Sequence, residues 1–266
     1  MGANHVKVGI IGAGNMGAAI IHALLENNIV TEDNLLVCRK NANQGIEGFP
    51  DLYISADAGQ VVQEAETVIL AVKPQQAQSI FDMCYDAFEN RFILSIMAGW
   101  DFERIKSATP KSTRILCVMP NLPLQVGEGI TLFSNKNNCT EKELAFAEML
   151  FKKVGTVIGV DDSYFAAANA LSGCAPAFVS LFIEALADGA VRYGTPRAKA
   201  YDLAAQMIIG TAKLIQQKGM HPAVLKDAVC SPNGITIAGI QSLEKEGFRG
   251  AVINAVEACV LKNKEF

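Results

Sequence analysis

Through the first 160 positions, short unbroken apolar runs alternate with stretches whose apolar residues recur every three or four positions. The runs are Val6–Ile11, Leu35–Cys38, Thr67–Val72, Phe92–Met97, Ile115–Met119, Ile130–Phe133 and Thr156–Val160, and each reads as a buried strand. Between them, Ile20, Ile21, Leu24 and Leu25 share one helical face, residues 57–64 are amphipathic, Pro74 fits the first turn of a helix, and 141–152 reads as another helix. This alternation predicts an α/β domain over 1–160, a mainly parallel, doubly wound sheet with a late antiparallel edge strand.

At Asp161-Asp162-Ser163 the pattern changes, and no further strand is expected. Ser163 is a candidate helix cap. Phe178, Leu181, Phe182, Ala185 and Leu186 give a helical stripe over 175–192. Pro196 opens a helix that runs to Lys218 and stops at Gly219; Pro222 starts a short one, and two more fall near 236–246 and 248–262. Residues 161–266 therefore read as an all-helical domain. Its Ala- and Gly-rich faces, apolar on more than one side, point to subunit contact.

The chemistry begins where the first strand ends, at Gly12-x-Gly14-x-x-Gly17. A strand before and a helix after is the context of a dinucleotide-binding, Rossmann-type turn. Gly12 permits the turn, Gly14 lets the backbone approach a pyrophosphate, and Gly17 lets the helix pack on the strand, with Asn15 and Met16 between them. The second strand ends in Cys38-Arg39-Lys40, where an NAD enzyme places an acid for the ribose 2′-hydroxyl. Two cations there suit a 2′-phosphate, hence NADP(H) in preference to NAD(H); an exposed basic turn is the plainer alternative. Lys73 stands at the carboxyl edge of the sheet, where it is either a ligand contact or a solvated loop lysine. Ala98-Gly99 leaves room for a flat ring.

Composition narrows the partners. Half of the 266 residues are hydrophobic, and the net charge is -4, which speaks against nucleic acid or an anionic membrane. No apolar run approaches the roughly 20 residues of a membrane span. Residues 1–5 are too short and polar for a signal peptide, and Met1-Gly2 lacks the Ser or Thr at position 6 of a myristoylation signal. Seven scattered cysteines without C-x-x-C read as reduced thiols of a cytoplasmic protein.

No Ser-His-Asp layout, HExxH or useful carboxylate pair is present. His5 precedes the first strand, His22 lies on the first helix, and His221 falls between helices; none is positioned as a proton donor. Ketone reduction needs a general acid or an oxyanion partner, whereas a protonated imine already carries its charge. Two loops of the helical domain stand out, Ala170–Pro176 and Cys230–Gly239. In the second, Ser231, Gly234 and Thr236 open a helix, which makes either a carboxylate site or a plain N-cap.

These residues fall into longer motifs: GIIGAGNMG at 9–17, AVKP at 71–74, MPNLP at 119–123, VGEG at 126–129, ALSGCAPAF at 170–178, FIEALADGAV at 182–191, HPAVLKD at 221–227, SPNGITIAG at 231–239 and GFRGAVINAVEA at 247–258. Over nearly its whole length the chain resembles the pyrroline-5-carboxylate reductase family. The resemblance implies an NADPH-dependent reduction of a cyclic imine carboxylate to proline. It implies a Rossmann domain joined to a helical dimerisation domain, and dimers that assemble further into decamers. It assigns the substrate carboxylate to Ser231, Gly234, Ile235 and Thr236, with Thr236 also orienting the ring nitrogen. The cofactor falls to Gly12, Gly14, Asn15, Met16, Gly17, Arg39, Ala71, Val72, Lys73, Pro74, Ala98 and Asn121; no metal is implied. The chain departs from the family's SGSGPAY at Cys174, Ala175 and Phe178, from SPGGTTIAG at Asn233 and Ile235, from MPNTP at Leu122, and from AAG at Met97. These changes bear on the exact substrate, not on the reaction class. Three alternatives stay open: a related cyclic imine acid as substrate, a 3-hydroxy-acid dehydrogenase with Lys213 as its helical lysine, and an NADP(H)-binding protein without turnover.

Overall fold

The computed structural model describes residues 7–263 and residue 265; His5 and the first residue of the Val6–Ile11 run lie outside them. The chain divides into two compact units, one of residues through Gly173 together with those from Cys259 onward, the other Cys174–Ala258.

The first unit is built on one eight-stranded sheet. Its strands are β1 (Val8–Ile11), β2 (Leu35–Cys38), β3 (Ile54–Ser55), β4 (Thr67–Leu70), β5 (Phe92–Ser95), β6 (Arg114–Pro120), β7 (Gly129–Ser134) and β8 (Gly155–Val160), in the order β3-β2-β1-β4-β5-β6-β7-β8. From β3 to β6 all pairings are parallel, β7 runs antiparallel to β6, and β8 runs parallel to β7. The expected late antiparallel edge strand is present: β8 forms the edge and, with β7, runs against the parallel strands β1 to β6. Helices α1 (Asn15–Glu26), α2 (Ala58–Glu64), α3 (Pro74–Cys84), α4 (Phe102–Ser107) and α5 (Glu141–Lys152) clothe the sheet. Ile10, Ile20, Leu24 and Phe151 belong to one core, and Ile11, Val61, Phe81 and Ile105 to the other. Successive strand side chains feed opposite faces, so strands buried on both sides read as unbroken apolar runs.

Helix α6 (Asp162–Asn169) follows the expected change of pattern after residue 160. It packs on the end of the sheet, where Ser134 Oγ donates to Asp162 Oδ1 at 2.5 Å and Asn135 Nδ2 to Asp161 Oδ1 at 2.9 Å. Those bonds carry the first unit on to Gly173. Ser163 is not the cap: Asp161 holds that position, without a side-chain cap bond, and Ser163 sits inside the first turn. The stretch Ala170–Cys174, expected as a loop, is a π-helical turn that joins α6 to α7 (Ala175–Val191).

In the second unit α7 pairs with α8 (Arg197–Lys218), and Arg197 Nη1 meets Asp188 Oδ1 at 2.5 Å. Gly219 ends α8 at φ 60°, the left-handed stop its sequence predicts. Then come α9 (Pro222–Ala228), α10 (Ile235–Lys245) and α11 (Phe248–Asn263), with Phe182 and Phe248 in ring contact at 5.9 Å. Buried residues of α7 and α8 are few, Ala187, Ala200 and Ala204, while Leu181, Leu203 and Ile253 stand more than half exposed. Residues 162–191 form a continuous 30-residue helical run, long and apolar enough, by length and composition alone, to cross a membrane. This corrects the expectation that no stretch would reach that length; the π-turn lets the helix continue through Ser172 and Gly173, where the sequence suggests a break.

Candidate dinucleotide and carboxylate sites

The glycine turn is held from both sides. Gly12 N donates to Cys38 O at 2.8 Å, and Ala71 N to Ile11 O at 2.8 Å. Gly12 adopts φ 102°, and a Cβ there would stand 2.6 Å from Ala71 O. Gly17 is closer still, since its Cβ would lie 2.1 Å from Gly12 O. At Gly14, the N-cap of α1, nothing lies within 4 Å. Asn15 and Met16 form the first turn of α1, which carries no acidic residue. The three glycines therefore make a tight strand-to-helix turn whose open side faces solvent at a helix N-terminus, a geometry able to admit an anion such as a pyrophosphate.

Along the same edge of the sheet, Ala71 and Val72 follow β4, and exposed Lys73 is the N-cap of α3 with Pro74 in its first turn. Trp100 is buried and its Nε1 donates to Pro74 O at 3.2 Å, which ties the β4 loop to the β5 loop. Ala98 sits half-buried between them. Met97, where the family has alanine, is 4% exposed and packs in the core with Trp100 and Phe102, so its bulk is largely absorbed. Leu122 is half exposed. Asn121 is buried, and its amide is spoken for: Ile130 N donates to its Oδ1 and its Nδ2 donates to Ser172 O, both at 2.9 Å. It pins the start of β7 and the π-turn, a structural part that its motif does not reveal.

Arg39 follows β2, and its backbone N donates to Ser55 O at 3.0 Å. Its guanidinium turns to the next loop, where Nη1 donates to Gln44 O (2.9 Å) and Gly45 O (3.2 Å) and Nη2 to Gln44 Oε1 (2.8 Å). Lys40 beside it is exposed. Sequence reasoning missed Gln44 and Gly45; the Asn41–Gln44 turn, closed by Gln44 N to Asn41 O at 3.1 Å, is the only signal that would have brought them back.

A cavity of about 220 Å³ opens beside the β5 loop, lined by Ser95, Ala98, Trp100, Cys117, Asp162 and Asn263 among others. Cys117 carries no nucleophile: burial pushes its thiol up to about 12, and its Sγ contacts Trp100 O at 3.6 Å. Burial likewise raises Cys84 to about 11 and Cys139 to about 12. None of the seven cysteines forms a disulfide, and no metal-holding cluster is found among the described residues.

In the helical unit, Gly234 N donates to Ser231 O at 3.0 Å. A Cβ on Gly234 would stand 2.3 Å from Ser231 Oγ, so the serine hydroxyl is folded against the bare backbone. Asn233 has φ 55°. Asparagine is the non-glycine residue best suited to that region, so the departure from the family's glycine preserves the turn. Gly234 is the N-cap of α10 and no side chain caps the helix. Neither Ser231 nor Thr236 is therefore the N-cap, which corrects the plainer reading. Ile235 and Thr236 form the exposed first turn, Ile235 being 95% exposed. The free N–H groups and two hydroxyls of this turn suit a carboxylate. His22 is taken up by Glu26 Oε1 at 3.0 Å and by an edge contact with Phe49, and His221 caps α9 by accepting from Ala223 N at 3.2 Å. Lys213 is exposed on α8.

Comparison with known proteins agrees in both units. Residues 162–266 match the pyrroline-5-carboxylate reductase dimerisation family, and residues 7–99 match the family described as NADP oxidoreductase coenzyme F420-dependent. The chain is 40% identical over 261 residues to the pyrroline-5-carboxylate reductase of Treponema pallidum, covering 96% of this chain and 99% of that one. It is 39% identical over 267 residues to that of Methanosarcina acetivorans, covering 97% of each. Its fold is similar to the crystal structure of the Plasmodium falciparum pyrroline carboxylate reductase with NADP bound, at a TM-score of 0.92 and 30% identity over 98% of each chain. A glycine cradle on a doubly wound sheet and an uncapped helix start in a matched dimerisation region thus occur in one chain, and that chain belongs to the pyrroline-5-carboxylate reductase family.

Proposed function

We propose that this protein reduces 1-pyrroline-5-carboxylate to L-proline with NADPH. The observation that carries the reading is the retained Ser231–Thr236 turn, whose hydroxyls and free helix N–H groups are not consumed by capping. Bound NADPH supplies a hydride. Gly12, Gly14 and Gly17 hold its pyrophosphate on α1, Ala71 to Pro74 and Ala98 border its path along the sheet edge, and Asn121 shapes that edge from behind. In the helical unit Ser231, Gly234 and Ile235 bind the substrate carboxylate, and Thr236 orients the ring nitrogen. The substrate's own iminium charge makes C5 electrophilic, so positioning and charge stabilisation carry the rate without a strong acid or base. Asn233 holds φ 55°, a left-handed conformation that glycine also adopts readily, so this departure is compatible with the family's own substrate.

NADPH oxidation by the purified protein, tested with pyrroline-5-carboxylate, other cyclic imines and 2- and 3-keto acids, separates the readings. Turnover with a keto acid in place of the imine, or with nothing, overturns this one.

Arg39 supports the choice of cofactor. Its guanidinium and Lys40 offer two cations to a 2′-phosphate where an acid would hold a 2′-hydroxyl. Arg39→Ala is expected to lower kcat/KM for NADPH by roughly ten- to a hundredfold, the worth of a charge-assisted pair, and to leave NADH little changed. Equal losses with both cofactors would remove Arg39 from the site.

The protein acts as a cytoplasmic homodimer or larger assembly. Leu181, Leu203 and Ile253, at 66%, 64% and 65% exposed, lie in the region matched to the dimerisation family. Light scattering is expected to give twice the 28.4 kDa chain mass or more; an active monomer at low concentration would refute this.

A further inference from the structure

The Arg39 guanidinium is held by three hydrogen bonds from one loop, yet every acceptor is neutral, namely the carbonyls of Gln44 and Gly45 and the side-chain amide oxygen of Gln44. No ion pair of Arg39 is found among the described residues. The loop itself is anchored. Ile46 is buried in the core beneath α1, Phe49 N donates to Ile46 O at 3.1 Å, and the Phe49 ring meets His22 of α1 at 5.3 Å. On the other side the Arg39 backbone is fixed to Ser55, and Cys38 O is fixed to the glycine turn through Gly12 N.

A guanidinium has five N–H donors in a rigid fork. Three are spent on the loop, and Nε–H and one Nη2–H remain for a ligand. A carboxylate partner would orient the fork equally well but would cancel its charge and compete with a phosphate. A glutamine orients it and leaves the full positive charge in place. Resting on the cofactor assignment above, we infer that Gln44 is a positioning residue for Arg39 and sets the preference for the 2′-phosphate. It holds the guanidinium preorganised and uncompensated, and touches no cofactor itself. Preorganising a side chain strengthens binding by removing the ordering cost at the moment of association.

The test is calorimetric titration of NADP+ and NAD+ into the unaltered protein, Gln44→Ala, Gln44→Glu, Arg39→Ala and the Arg39→Ala/Gln44→Ala pair. Gln44 is exposed, and melting temperatures check that each variant folds. Gln44→Ala removes one of three tethers and is expected to weaken NADP+ by roughly threefold to tenfold, the worth of one hydrogen bond, with NAD+ unchanged. Gln44→Glu keeps the tether but neutralises the charge, and is expected to weaken NADP+ by about a further tenfold, again sparing NAD+. In the Arg39→Ala background the Gln44 change is expected to be silent. The inference is overturned if the Gln44 variants shift NADP+ and NAD+ alike, or still act without Arg39. Should the unaltered protein bind NAD+ as tightly as NADP+ and Arg39→Ala change neither, the cofactor reading itself falls, and the inference with it.

Discussion

Gly17→Ala is expected to abolish useful NADPH binding and to lower the melting temperature together. The added methyl would sit 2.1 Å from Gly12 O and 3.4 Å from Ala71 Cβ, against a relaxed non-bonded separation of roughly 3.5 Å. The oxygen is backbone in a turn pinned to Cys38 and Ala71, so it cannot yield. Helix α1 must back off the strand, which costs about 1–3 kcal/mol of packing, or roughly 2–12 °C for a unit of this size. The same displacement moves the helix N–H groups away from the pyrophosphate. Losing two charge-assisted bonds of about 1.5–3 kcal/mol each raises the Kd by roughly a hundredfold or more. Gly14→Ala makes the informative control. Its Cβ meets nothing within 4 Å, so the melting temperature should hold while NADPH binding weakens, as expected if the proposed pyrophosphate approaches through that open space. Thermal melts and fluorescence titration of both variants check this. A stable Gly17→Ala variant with unaltered NADPH affinity would disprove the cradle.

Thr236→Ala is expected to cut kcat/KM for pyrroline-5-carboxylate by roughly ten- to a hundredfold, the 1.5–3 kcal/mol of a hydrogen bond to a charged group. NADPH binding and the melting temperature should stay put. Were Thr236 an N-cap, its loss would cost about 1 kcal/mol of stability and little activity. The structure removes that alternative, since Gly234 holds the cap position and Thr236 is exposed in the first turn of α10. A variant with a lowered melting temperature and unchanged kcat/KM would return Thr236 to a structural role.

The Rossmann half was legible because strands buried on both faces leave an unmistakable trace: β1, β2, β4 and β5 each show as a run of β-branched or large apolar residues. Ile54–Ser55 left none, as two residues cannot establish a period, and the six residues of α4 are nearly as mute. The relation of β7 to β8 lies in pairing rather than pattern, so the antiparallel edge was expected but not that two strands, β7 and β8, share the reversed direction. Ala170–Cys174 misled because Ser, Gly and Pro signal a break, whereas a π-turn absorbs them within a helix. At the candidate sites the glycine turn was readable from its spacing. The uncapped start of α10 was not, because capping depends on whether a hydroxyl faces its own helix. Nor were the partners of Asn121 and Arg39, which come from segments that only tertiary structure brings together.

Because residues from Cys259 onward belong to the nucleotide-binding unit, the order of manufacture and the order of architecture differ. A ribosome releases the sheet first and the 174–258 helices next, and only then Asn263, which lines the cavity beside the β5 loop. A nascent chain can build its sheet as it emerges, but the wall of that cavity is complete only after the 174–258 helices have been made. For the experimentalist the same fact makes a chain cut after Ala258 a test of how much the finished cavity adds to the stability of the first unit.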